Sequence, residues 1–351
     1  MQIVQDQKVK EMKTKIGFVV CAALCIIAFA ACKNDQNAAG SEQAQGKTGN
    51  PAIDALTDQI AASPNDASLY ASRAKMFYDN EGYDEAIRDL TTALQLDSTN
   101  VDYHHLLADA YLDYFQSRLA LRTMERAAAL YPERIPTLLK LCEVQYTLKQ
   151  YTGSLQTIDR ILKIDPQNGD AFLMMGLNTR ELGDTDRAVK AFQKAIAIDP
   201  ELIDAWINLG QLNARLNKPD AARYFDSALR IAPDNVAAIH AKADYLRDKN
   251  DLNGAIALYK KLNTIDMQYD EGYLNAGLLY LDLDSIEQAR KMFDLVIGVN
   301  PINIEAYCFR GIAYEKAGNF SKARKDYETA LRMAPEYELA NEGLERVKGK
   351  N

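Results

Sequence analysis

A stop signal recurs along this chain at a nearly constant interval. Pro132, Pro166, Pro200, Pro233, Pro301 and Pro335 stand 34, 34, 33, 68 and 34 residues apart, with Met267 at the rung that the double gap skips. Pro64 extends the series upward, with Ser98 at the rung between. Proline cannot continue a helix, because it lacks the N–H and its ring strikes the preceding turn. A fixed period of such stops means one helical unit used many times. A chain of that kind grows by stacking, each unit touching its neighbours, and has no fixed core size.

Cut at that period, the chain gives eight units: 67–100, 101–134, 135–168, 169–202, 203–235, 236–269, 270–303 and 304–337. The last carries Tyr307, Gly311, Tyr314, Ala323, Tyr327, Ala330 and Pro335. The one before repeats the set 34 residues earlier as Tyr273, Gly277, Tyr280, Ala289, Phe293, Val296 and Pro301. Apolar residues three and four apart within each half put a stripe on one helix face. Two stripes per unit, split by a turn such as Ala317-Gly318-Asn319, describe an antiparallel helix pair. Small residues at positions 8, 20 and 27 let the helices approach, and aromatics at positions 4, 11 and 24 fill the remaining volume. A large side chain at Gly311 or Ala323 would overpack that fit.

Ile161, Leu262 and Val296 stand where the pattern has Ala, so wider junctions are expected there. Unit 203–235 is one residue short near Pro219-Asp220-Ala221; Pro219 is expected in the first turn of the second helix, with a local change of twist. A stack must be closed at its ends. Residues 51–66 read as an N-terminal cap built on a lone helix, and 338–351 as a C-terminal cap with Leu339 and Leu344 inward.

The pattern resembles the tetratricopeptide repeat over about 270 of the 351 residues. The resemblance implies an all-α, right-handed superhelical solenoid of about eight helix hairpins with flanking cap helices. It also implies that first helices line a concave groove and present positions 2, 5, 9 and 12 to a ligand. Carried onto this chain, the first part of that groove offers Lys75, Tyr78, His105, Asp109, Leu112, Leu139, Glu143 and Tyr146. Its middle offers Leu173, Leu177, Arg180, Ile207 and Gln211. Its last part offers His240, Asp244, Arg247, Leu274, Leu278, Leu281, Cys308, Ile312 and Glu315.

Leu274, Leu278 and Leu281 are expected to carry partner contact, because an apolar patch is costly to leave wet. Asp244 and Glu315 are expected to set the charge preference. Acids recur at position 2, as Asp102, Asp170, Asp204, Glu271 and Glu305, where the helix dipole favours them before any ligand is invoked. Family members that bind chaperone tails use Lys and Asn at positions 5 and 9, Asn at 6 of the next unit, and Lys and Arg at 2 and 6 of the one after. No three successive units here supply that set.

The N-terminus lies outside this pattern. Lys13 and Lys15 precede an apolar run of 16 residues from Ile16 to Ala31. That is short of the roughly 20 residues that span a bilayer and fits a secretory leader. Met12-Lys13-Thr14-Lys15 reads as readily as a chain start as Met1 does. Phe29-Ala30-Ala31-Cys32 resembles the lipobox of bacterial lipoproteins, although Phe29 departs from the aliphatic residue usual there. The resemblance implies a cleaved leader at 1–31, lipid on Cys32, and a polar tether within 32–50. Lys33 gives no retention signal of the Asp type, which implies the outer membrane, facing the periplasm. An uncleaved membrane helix is the alternative.

Chemistry is not visible. His104 reads as a packing residue, His105 and His240 stand four units apart, and no HExxH, Cys/His cluster or phosphate loop occurs. Cys142 and Cys308 lie five units apart and read as buried thiols. The formal charge of −8 disfavours nucleic acid and suits a basic or partly apolar partner. Loss of residues 1–31 takes the charge to about −10, by removal of Lys8, Lys10, Lys13 and Lys15 with Asp6 and Glu11. The expected function is a non-catalytic, membrane-anchored scaffold that binds a partner protein or peptide in the groove. A structural subunit of an outer-membrane assembly or secretion complex, and an adaptor for periplasmic cell-wall or proteolytic enzymes, are the alternatives. No cofactor, metal or small-molecule substrate is expected.

Overall fold

Each rung of the ladder falls in a turn directly after a helix, and Met267 and Ser98 occupy the same turn where proline is missing. The computed structural model describes residues 48–350. The leader, Cys32 and nearly all of the tether lie outside the described residues. Among the described residues there are eighteen helices and no strand, and no helix is long and apolar enough to cross a membrane.

The first helix, α1 (Pro51–Ala62), stands alone. Antiparallel pairs follow: α2 (Ala67–Asp79) with α3 (Tyr83–Leu96), α4 (Val101–Asp113) with α5 (Ser117–Leu130), and α6 (Ile135–Thr147) with α7 (Tyr151–Ile164). Then come α8 (Gly169–Glu181) with α9 (Thr185–Ile198), α10 (Ile203–Arg215) with α11 (Ala221–Ile231), and α12 (Val236–Asp248) with α13 (Leu252–Ile265). The last are α14 (Asp270–Asp282) with α15 (Ile286–Val299), α16 (Ile304–Lys316) with α17 (Phe320–Met333), and the single α18 (Glu338–Arg346).

Local chemistry sets these bounds. Asp66, Asn100, Asn168, Asn235 and Asn303 each cap a first helix by accepting a backbone N–H in the first turn. Inside each hairpin the chain reverses through one residue in the left-handed region, glycine only at Gly183 and Gly318. Glu81, Phe115, Lys149, Asn217, Asn250 and Asp284 hold that conformation elsewhere. Contrary to expectation, Pro219 does not enter the first turn of α11; it lies in the preceding turn, and Asp220 precedes the helix. With one residue missing and Pro219 and Asp220 left in the turn, α11 has 11 residues, against 14 in the other second helices.

The core is a chain of small clusters between neighbours. In four hairpins a first-helix glycine faces the aromatic ring of its own second helix. A Cβ at Gly176, Gly210, Gly277 or Gly311 would meet Phe192, Phe225, Phe293 or Tyr327 at 2.4, 2.6, 2.6 and 2.7 Å. Cys142 and Cys308 are free and fully buried, and burial pushes both thiols up to about 12. Both ends are covered: Ile53 and Ile60 of α1 are buried, and Ala340 and Gly343 of α18 pack beside Tyr327.

Candidate functional site

First helices of neighbouring hairpins touch one another, whereas second helices of neighbouring hairpins do not. The first helices therefore lie on the inside of the curve and form its inner wall. One joint is wider: α12 and α14 meet through side chains alone, His240 facing Glu271 at 3.8 Å, whereas the backbones of α10 and α12 approach closely. Leu262 and Asn263 are buried at that wider joint, and the Asn263 Nδ2 donates to the Tyr269 carbonyl at 2.6 Å. The widening expected from bulky residues thus occurs at Leu262. It does not occur at Ile161 or Val296, whose neighbouring first helices remain in contact.

The predicted lining residues divide by position. Position 5 closes against the next first helix instead of facing open space. Ile207 is 6% exposed and packs with Ala238 and Ala241 of α12. Leu274 is 8% exposed and packs with Phe293 and with Ala306 of α16. Cys308 is fully buried with Ala340 of α18. These three are corrected from lining to packing residues. His105 shows the same geometry in polar form, its Nε2 lying 3.0 Å from the Thr137 hydroxyl of α6. Leu139 and Leu173 are half-buried against their clusters.

Positions 9 and 12 form the open floor. Leu177, Leu278, Leu281 and Ile312 are half-buried there, while Glu143, Gln211 and Arg247 are exposed. Tyr78 and Tyr146 join them, each ring set against a second-helix tyrosine, Tyr83 at 5.9 Å and Tyr151 at 5.7 Å. The Tyr78 hydroxyl donates to Asp113. Arg180 reaches Asn208, Glu181 and the Tyr146 hydroxyl.

The two acids expected to set charge preference are already committed. Asp244 receives the Tyr259 hydroxyl at 2.5 Å, faces His240 Nδ1 at 3.2 Å and pairs with Arg247 at 3.0 Å. Burial pushes this carboxyl up, but the His240 and Tyr259 hydrogen bonds and the Arg247 charge outweigh it and hold it below its usual range. The Asp244 contact raises His240 in turn. Glu315 receives Tyr327 at 2.8 Å and pairs with Arg346 at 3.1 Å.

The free charge lies elsewhere. The first helices α2 to α16 carry fifteen Asp/Glu and nine Lys/Arg, net −6. Eight of the nine cations are held in ion pairs, leaving Arg215 outside any among the described residues. Asp170, Asp204, Asp282 and Glu305 have no ion-pair partner among the described residues. Asp170, Asp204 and Glu305 sit at position 2, in a first turn that favours an acid. Asp282, at a first-helix C-terminus, lacks that favour, and sequence reading passed over it. The inner wall is therefore a leucine and tyrosine floor bordered by unneutralised carboxylates.

Comparison with known proteins agrees with this architecture. A family profile described as TPR repeat matches residues 74–113 and 176–217, and two described as tetratricopeptide repeat match 270–303 and 304–337. Those segments are tetratricopeptide repeats. The chain is 26% identical over 285 residues to Superkiller complex protein 3 of Homo sapiens, covering 78% of this chain and 18% of that protein. It is 22% identical over 302 residues to the DnaJ homolog subfamily C member 7 homolog of Dictyostelium discoideum, covering 81% and 52%. The chain thus spans about half, or less, of the length of these curated relatives. The crystal structure of yeast Tom70 matches with a TM-score of 0.52 at 20% identity, over 76% of this chain and 60% of that one, a likeness of fold.

Proposed function

We propose that this chain is a non-catalytic protein-interaction scaffold whose inner wall takes a partner segment bearing both basic and apolar side chains. One observation carries the reading: the floor is apolar, its border acids are unneutralised, and nearly every cation of the same helices is engaged internally. A partner that brings Lys or Arg finds carboxylates without first breaking an ion pair. Its apolar side chains cover Leu177, Leu278, Leu281 and Ile312. Each buried methylene contributes about 0.8 kcal/mol to such a contact. The similarity to tetratricopeptide repeat proteins is consistent with this role.

We further propose that the scaffold is held at a bacterial envelope membrane by lipid on Cys32, the reading that Phe29-Ala30-Ala31-Cys32 favours, with the outer membrane as its place. Cys32→Ser is expected to move the chain into the soluble fraction; retention in the membrane fraction would favour an uncleaved helix.

The groove is tested by capture from the protein's own membranes. The triple variant L177E/L278E/L281E leaves buried Leu274 intact, so helicity by circular dichroism should not change. Recovery of the partner is expected to fall at least about tenfold, the ratio that a loss of about 1.4 kcal/mol produces. Equal recovery would remove the inner wall from the account.

A further inference from the structure

The second helices carry the opposite charge. Helices α3 to α17 of that set hold nineteen Lys/Arg and eleven Asp/Glu, net +8, within a chain whose formal total is −8. The two walls of the stack are thus oppositely charged, and the whole-chain figure averages over them. Helices α5, α7 and α9 hold eight of these Lys/Arg against three Asp/Glu. There Arg118, Arg122, Arg126, Arg160, Lys190 and Lys194 are exposed, and no carboxylate pairs with any of them among the described residues. Steps of four residues separate 118, 122 and 126, and likewise 190 and 194, so the cations share one outward helix face.

The same face continues into aliphatic residues one further turn along. Leu130 is 42% exposed four residues after Arg126, and Ile164 is 41% exposed four residues after Arg160. On α5 and α7 a cation is thus followed one turn later by an exposed aliphatic side chain, and on α9 Lys190 and Lys194 are followed by the half-buried Ile198. That order suits a bilayer interface, where cations meet headgroup phosphates and an aliphatic tip enters the acyl boundary. Against a nucleic acid the aliphatic residues have no use. The stacking rings that single strands require are also missing, since Phe192 is buried and Tyr151 is turned onto Tyr146.

We propose that the outer face of α5, α7 and α9 docks on an anionic phospholipid surface. This surface is distinct from the inner wall and does not depend on lipid at Cys32. Residues 49–351 form a compact unit by themselves, with both ends covered, so a chain beginning at residue 33 isolates the contact from any anchor. Vesicle co-sedimentation is the test, with equal parts phosphatidylglycerol and phosphatidylcholine against phosphatidylcholine alone. Binding is expected to the first vesicles, to fall with added salt, and to be at least about tenfold weaker to the second.

The variant R122E/R126E/K190E/K194E is expected to lose at least about tenfold of the binding to anionic vesicles. R122K/R126K should keep it, and L177E/L278E/L281E should not affect it. A circular dichroism melt shows that the charge-reversed chain is folded. Equal binding to both vesicle types, or binding indifferent to the reversals, overturns the proposal. So does retention on a DNA column without vesicle binding, which would point to a polyanion. Concentration-dependent self-association abolished by the same reversals, without vesicle binding, would assign the face to a second copy and also overturn it.

Discussion

Gly176→Val is expected to destabilise the protein by about 2–3 kcal/mol, the upper part of the range for overpacked cores. A Cβ at this position would lie 2.4, 2.5 and 2.7 Å from three carbons of the Phe192 ring. That ring is fully buried, so it cannot yield by turning into solvent. Gly176→Ala adds the same Cβ but recovers roughly 1 kcal/mol of helix propensity, which makes it the milder variant. Phe192→Leu in the Gly176→Val background should restore part of the loss, because the two residues share one space. Urea unfolding read by circular dichroism supplies the measurement. An unchanged midpoint for Gly176→Val would mean that the hairpins do not pack glycine against ring.

Arg73→Leu is expected to cost more, about 3–5 kcal/mol, because it breaks a buried ion pair by removing one partner. Arg73 and Asp89 are 5% and 6% exposed. The guanidinium donates to both carboxylate oxygens, at 2.7 and 2.8 Å, and its third nitrogen donates to the Thr57 hydroxyl at 3.0 Å. Loss of Arg73 strands the carboxylate and frees α1 from the polar bond that fastens it to α2. Hydrogen exchange should therefore accelerate across Pro51–Ala62 before it does elsewhere. The double variant R73L/D89L should recover most of the stability, since no charge is left buried. A single variant as stable as the parent, with α1 equally protected, would contradict the role assigned to this pair.

The architecture was legible because proline and glycine report backbone requirements directly. The ladder located every turn between hairpins, and Gly176, Gly210, Gly277 and Gly311 marked where a ring fills the glycine's space. Burial at position 5 was less legible, since a family's exposed position becomes a contact when the next helix sits close. Ile207, Leu274 and Cys308 are the result. Glu315 looked free because Arg346 lies 31 residues away in sequence, whereas Asp244 could have been read as engaged from His240 and Arg247 within one helix turn; only its Tyr259 partner is distant. The opposed charge of the two walls was hidden for a simpler reason. A net charge sums over a molecule, and only the assignment of each residue to a first or second helix separates −6 from +8.

The central claim, that the inner wall receives the partner, is tested most directly by site-specific photo-crosslinking in the protein's own cells. The crosslinker is placed at the exposed inner positions Glu143, Gln211 and Arg247 and at the exposed outer positions Glu125 and Gln193. One protein adduct of the same mass from all three inner positions, with none from the outer pair, is the predicted result. Protein adducts from the outer positions alone would contradict it.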